Sequence, residues 1–160
     1  MIGGQSARRV GAGVLVLLAT LSLFPVLAQP VDKDAIKEAA KEVIMECKSK
    51  AGASDADIQA LKDHKMPESH EGLCMLECIF DSSKIMENGK FSKSGMIEGF
   101  KPLVGEDQEK QERLSQLAST CENEIGDGDS DKCQTAKLLV ECIIKNGKTH
   151  GFEMPTAVKK

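Results

Sequence analysis

The residues of this chain best equipped for chemistry are six cysteines (Cys47, Cys74, Cys78, Cys121, Cys133 and Cys142) and three histidines (His64, His70 and His150). Thiolates can bind zinc, attack a substrate or pair as disulfides. The N-terminus chooses among these. Arg8 and Arg9 precede an uncharged apolar run from Val10 to Leu27, and Val26-Leu27-Ala28 offers the short residues that a signal peptidase reads. Residues 1–28 are therefore expected to be a secretory signal peptide, with Gln29 as the new N-terminus. The run is long enough for a membrane anchor, but Pro25 and the cleavage-like end favour removal. An even cysteine count behind such a leader predicts three disulfides in an oxidising compartment, not a zinc site. No histidine sits in a catalytic context, and neither G-x-S-x-G nor H-E-x-x-H occurs. No enzyme activity, metal or cofactor is expected.

Helix geometry restricts the pairing. Cys74 and Cys78 lie in the apolar stretch Leu73–Phe80, LCMLECIF. On a helix they share one face with Cβ atoms roughly 5–6 Å apart, whereas a disulfide needs about 3.8 Å. Each must reach a different segment. Cys133 and Cys142 fall on one later helix, roughly 13.5 Å apart along its axis and on opposite sides. Each exclusion deletes three pairings and the two share one, so ten of the fifteen remain open.

The elements that carry these cysteines read as helices. Tyr and Trp are absent and β-branched runs are scarce, which disfavours a sheet. Asp32 or Asp34 suits a first helix N-terminus; Ile36, Ala40, Val43 and Cys47 form its stripe, and Gly52 its stop. Ser54 with Asp57 predicts a capping box opening a short helix that holds Ile58 and Leu61 and ends before Pro67. Ser69 caps the third helix, which runs to about Ser83, and Asn88-Gly89 signals a turn. Residues 91–104 fit a short helix weakened by Gly95, Gly99 and Pro102. A long helix follows over residues 106–124, with Leu114, Leu117 and Cys121 on one face, and its opening EDQEKQER reads as a solvated surface. After the loop GDGDSD, a last helix ends at Gly147. Its apolar residues (Ala136, Leu138, Leu139, Val140, Ile143 and Ile144) predict burial on several sides.

The fold class is thus all-α, with about six helices in one domain over residues 29–160. The formal charge of −4 becomes −6 without Arg8 and Arg9. That balance argues against nucleic acid or an anionic membrane as partner. No Asn-x-Ser/Thr occurs, so N-glycosylation is not expected.

The spacing Cys47-x26-Cys74-x3-Cys78-x42-Cys121-x11-Cys133-x8-Cys142 resembles that of the insect odorant-binding proteins, in the six-cysteine subclass. The x3 and x8 intervals are diagnostic. The leader, the mature length, the six helices and the MENGKF turn after the third helix are similar as well. The resemblance implies three interlocked disulfides, Cys47–Cys78, Cys74–Cys133 and Cys121–Cys142, around an internal hydrophobic cavity. It also implies a secreted carrier of small hydrophobic molecules (odorants, pheromones, terpenoids or fatty derivatives). Such a carrier would occupy fluids such as sensillar lymph, deliver to membrane olfactory receptors, and act as a monomer or weak homodimer. Carriers outside the antenna belong to the same family. A helical secreted signalling or inhibitory protein with a solid core is the competing reading.

The apolar residues in excess of what thin helices need are the candidate pocket wall. They are Val43, Ile44, Leu61, Met66, Leu73, Leu76, Ile79, Phe80, Met86, Phe91, Met96, Ile97, Phe100, Leu103, Leu114, Leu117, Leu139, Val140, Ile143, Phe152 and Met154. Without Tyr or Trp such a pocket lacks phenol and indole donors. Weakly polar ligands held by apolar burial are therefore expected. The tail from Gly147 to Lys160 contains Phe152 and Met154, the apolar pair that a pocket lid requires, beside the titratable His150.

Overall fold

The structure, a computed structural model, describes residues 33–152. The expected signal peptide over residues 1–28 and the tail residue Met154 lie outside that range. Six helices are present among the described residues: α1 (Lys33–Ala51), α2 (Asp55–Lys62), α3 (His70–Ser82), α4 (Lys93–Val104), α5 (Gln108–Ile125) and α6 (Lys132–Gly147). A two-stranded antiparallel ribbon, β1 (Met86–Glu87) and β2 (Lys90–Phe91), joins α3 to α4.

The helix boundaries follow local chemistry. Ser54 accepts from the Asp57 amide while the Asp57 carboxylate accepts from the Ser54 amide, so the capping box forms with Asp in the Glu position. Ser69 caps α3 and Ser92 caps α4. Asp107 and Asp131 open α5 and α6, satisfying amides that the helices leave free. Gly52 ends α1 with φ of 71°. In the ribbon, Asn88 and Gly89 both take positive φ, the backbone of a two-residue hairpin turn.

Three features depart from expectation. First, α4 is a continuous twelve-residue helix despite Gly95, Gly99 and Pro102. The glycines are required by close approach: a Cβ on Gly95 would collide with the Lys84 carbonyl, and one on Gly99 would sit 3.2 Å from Ile85 Cγ1. Second, α6 packs against α3, α5 and β2 as expected of a helix buried on several sides, but two of its apolar residues stay open. Ala136 and Leu139 are fully buried, but Leu138 and Ile144 are 39% and 51% exposed. Third, α6 ends at Gly147 as expected, but helical backbone follows it. A 3-10 turn, Lys148–His150, continues from α6, and Gly151 at φ of 78° ends it.

Helix α3 packs between α1 and α6, α5 packs on α6, and α4 packs on α5. Disulfides tie the same elements: Cys47–Cys78 joins α1 to α3, Cys74–Cys133 joins α3 to α6, and Cys121–Cys142 joins α5 to α6. This is the pairing that the spacing resemblance implies. The main core gathers Leu73, Leu76, Ile85, Met86, Met96, Leu114, Leu117 and Leu139, and a smaller cluster surrounds Cys47, Ala53 and Met75. No helix among the described residues is long and apolar enough to cross a membrane.

Candidate functional site

The stripe of α5 that faces the core repeats at helical spacing from Lys110 through Leu114 and Leu117 to Cys121. Opposite it, α4 presents Met96, Phe100, Leu103 and Val104. Ile143 of α6 and the segment His150–Phe152 close the remaining side. Between these elements lies a cavity of about 380 Å³, with Lys110 and Arg113 completing its lining. Its inner end is buried, since Met96, Leu114 and Leu117 are almost inaccessible, while Leu103 at its mouth is 68% exposed. Clefts of larger volume elsewhere carry a greater share of charged or polar groups. One beside the two α3 disulfides includes Lys50, Glu77, Asp81 and Lys132, and one along the ribbon includes Glu87, Lys90, Lys93 and Glu122. The α4–α5 cavity is the apolar one of these three, and its composition marks it as the place for a hydrophobic ligand.

Seven of the predicted wall residues line this cavity: Met96, Phe100, Leu103, Leu114, Leu117, Ile143 and Phe152. The other described ones lie elsewhere. Leu73, Leu76, Met86 and Leu139 are buried in the main core, with Met66, Phe80, Phe91, Ile97 and Val140 packed against it. Val43 and Ile79 pack against the smaller cluster, Leu61 touches both, and Ile44 is half-buried on α1. Val104, Lys110 and Arg113 line the cavity without having been foreseen there, and His150 and Gly151 line it from the expected lid segment. Extending the Leu114–Leu117–Cys121 stripe one turn toward the N-terminus finds Lys110, and Arg113 lies one turn before Leu117. Thus EDQEKQER is not uniformly a solvated face: both side chains stay exposed, yet they border the cavity.

The polar rim is organised within α5 and the tail. Lys110 Nζ lies 3.1 Å from Asp107 Oδ2, and Arg113 Nη2 pairs with Glu109 Oε1. The Lys110 amide, with its ammonium behind it, holds the Asp107 carboxyl below the usual range. His150 Nε2 lies 3.5 Å from Thr120 Oγ1, and the Phe152 amide donates to Gly147 O at 2.8 Å. Gly151 sits under Arg113, where a Cβ would run into the guanidinium. These contacts hold the backbone of the segment that carries Phe152, one of the wall residues.

A second cluster brings His70, Cys74 and Cys133 together, with their ligating atoms within 4.8 Å of one another. The two sulfurs are bonded to each other, so no thiolates are available for a metal. His70 Nε2 instead pairs with Asp131 Oδ2 at 2.9 Å. That bond and the Cys133 amide lower the Asp131 carboxyl, which caps α6.

Known proteins share this frame. Residues 31–146 match the model of the PBP/GOBP family. General odorant-binding protein 19d of Drosophila melanogaster is 34% identical over 142 residues, spanning 88% of this chain and 93% of the relative. General odorant-binding protein 28a of the same species is 26% identical over 140 residues, 86% of this chain and 96% of that one. Among solved structures, odorant-binding protein dmelOBP28a from Drosophila melanogaster superposes with a TM-score of 0.64 at 25% identity. It covers 76% of this chain and all of its own. Six helices, the cysteine framework and an apolar cavity are thus found in a chain that belongs to the PBP/GOBP family, a family of carriers of small ligands.

Proposed function

We propose that this protein is a secreted carrier that takes small hydrophobic odorants or pheromones into the α4–α5 cavity and delivers them to membrane olfactory receptors. The observation that carries the reading is the apolar cavity of about 380 Å³, a volume within the range of small-molecule sites. A solid-core signalling protein has no use for such a space. Lined by Met, Phe and aliphatic residues, the cavity would hold ligands mainly by apolar burial, with methionine adapting to irregular shapes. Each methylene added to a ligand series should tighten binding by about 0.8 kcal/mol until the space is filled. Because the chain has no Trp, the test is displacement of a fluorescent apolar probe by aliphatic alcohols, aldehydes, esters and terpenoids. Graded displacement supports the carrier. Failure of every class to displace the probe, or to bind by calorimetry, removes it.

The wall assignment has its own test. Changing Met96 and Phe100 together to Ala should abolish most probe binding while the helix content is kept. Unchanged displacement would place the ligand elsewhere. The same reading makes the segment after α6 the lid of the pocket, since Phe152 already lines it. Deleting residues 151–160 should weaken binding, and an affinity unchanged from the intact chain at both neutral and acidic pH would sink the lid. Secretion follows from the leader, and N-terminal sequencing of secreted protein should read from Gln29.

A further inference from the structure

We propose that the cavity selects apolar molecules carrying a carboxylate over neutral molecules of the same chain length, with Arg113 and Lys110 receiving the headgroup at its mouth. This rests on the carrier reading and sharpens its ligand class. The charged side chains that line the cavity are two cations, Lys110 and Arg113, and the His150 ring lines it as well. No Asp or Glu lines it. The buried end, walled by Met96, Leu114 and Leu117, offers nothing polar to a ligand. An occupant is therefore oriented, with its apolar body inward and its head at the Lys110–Arg113 rim.

The rim cations have acidic partners, but those partners leave donors free. Arg113 meets Glu109 through Nη2, and Lys110 meets Asp107 through one of its three ammonium hydrogens. Neither Asp107 nor Glu109 belongs to the lining, so a ligand carboxylate approaches from the side these acids do not occupy. The Arg113 Nη1 end lies over Gly151, where the tail backbone bounds the cavity. A guanidinium presents a planar fork that matches a carboxylate. A hydroxyl or ester head can accept one hydrogen bond there but gains no charge pairing. Both cations are about half-exposed or more, which keeps the preference modest, about fivefold.

The experiment is probe displacement at pH 8 and low salt by dodecanoic acid, dodecanol and methyl dodecanoate, with wild type, Arg113→Gln and the double variant Lys110→Gln/Arg113→Gln. The expected result is acid bound about fivefold more tightly than alcohol by wild type, with the gap shrinking below twofold in the double variant. Alcohol affinity should change less than acid affinity across the variants, and alcohol binding by the double variant reports that the cavity has survived. Equal affinities of acid and alcohol in wild type overturn the proposal while leaving the carrier reading intact. So does a gap that persists in the double variant. If none of the three ligands displaces the probe, this proposal falls, while the carrier reading stands or falls on the wider panel of alcohols, aldehydes, esters and terpenoids.

Discussion

A methyl group on Gly95 would fall onto the Lys84 carbonyl oxygen, and that oxygen belongs to backbone that cannot rotate away. In an exposed helix interior, Gly→Ala stabilises by up to about 1 kcal/mol. Here the sign should reverse. Gly95→Ala is expected to cost about 2 kcal/mol or more, as overpacking does, read as a lower urea midpoint at unchanged slope. At Gly99 the neighbour is the Ile85 side chain at 3.2 Å, which can yield, so Gly99→Ala should stay within about 1 kcal/mol of wild type. A stabilised Gly95→Ala would show that α4 does not pack against the α3–β1 turn as described. These two residues also explain why residues 91–104 read poorly from sequence. Glycine lowers helix propensity, and propensity says nothing of a carbonyl brought alongside by tertiary packing.

Between elements, Asp57 makes a buried polar link. Its carboxylate caps α2 through the Ser54 amide and hydroxyl, at 2.8 and 2.7 Å, and accepts from Ser69 Oγ at 2.7 Å, tying α2 to the α3 cap. The Ser54 and Ser69 hydroxyls lower its pKa below the usual aspartate value. The unfolded chain therefore binds its proton more readily than the folded one. This contribution to stability is complete above the unfolded value of about 3.9 and is lost as pH falls through the depressed folded value. Asp57→Asn should flatten the acid limb of stability against pH, and urea midpoints between about pH 5 and pH 2 would reveal it. An unaltered acid limb would refute the link. Caps of this kind were legible in the sequence, because Ser54, Asp57 and Ser69 act on amides three residues away. The cavity wall was legible only in part. Leu73 and Leu114 sit on similar apolar stripes, and periodicity cannot tell a stripe that meets its neighbours from one that faces a space. Arg113 was hidden for the opposite reason: a charged run suggests water on every side, yet one face of α5 turns toward the tail.

Across the whole molecule, the disulfides and the cavity occupy different territories. No α1 residue lines the cavity, whereas α5 and α6, joined by Cys121–Cys142, both do. Replacing Cys47 and Cys78 by Ser should therefore cost stability, about 2–4 kcal/mol, while probe affinity of the folded protein holds. Replacing Cys121 and Cys142 should lower both. Thermal unfolding and probe titration on the two variants would separate the effects, and equal loss of affinity would contradict the division. The covalent links run α1 to α3, α3 to α6 and α6 to α5. Helix α4 carries no cysteine, yet it supplies Met96, Phe100, Leu103 and Val104 to the wall. Amide hydrogen exchange in α4 should accordingly outpace that in α3 and α6, with ligand slowing it selectively. The same separation makes α4 the segment on which ligand preference can drift in evolution. Phe100 or Leu103 can change size or shape while the four helices bound to one another through sulfur keep the fold.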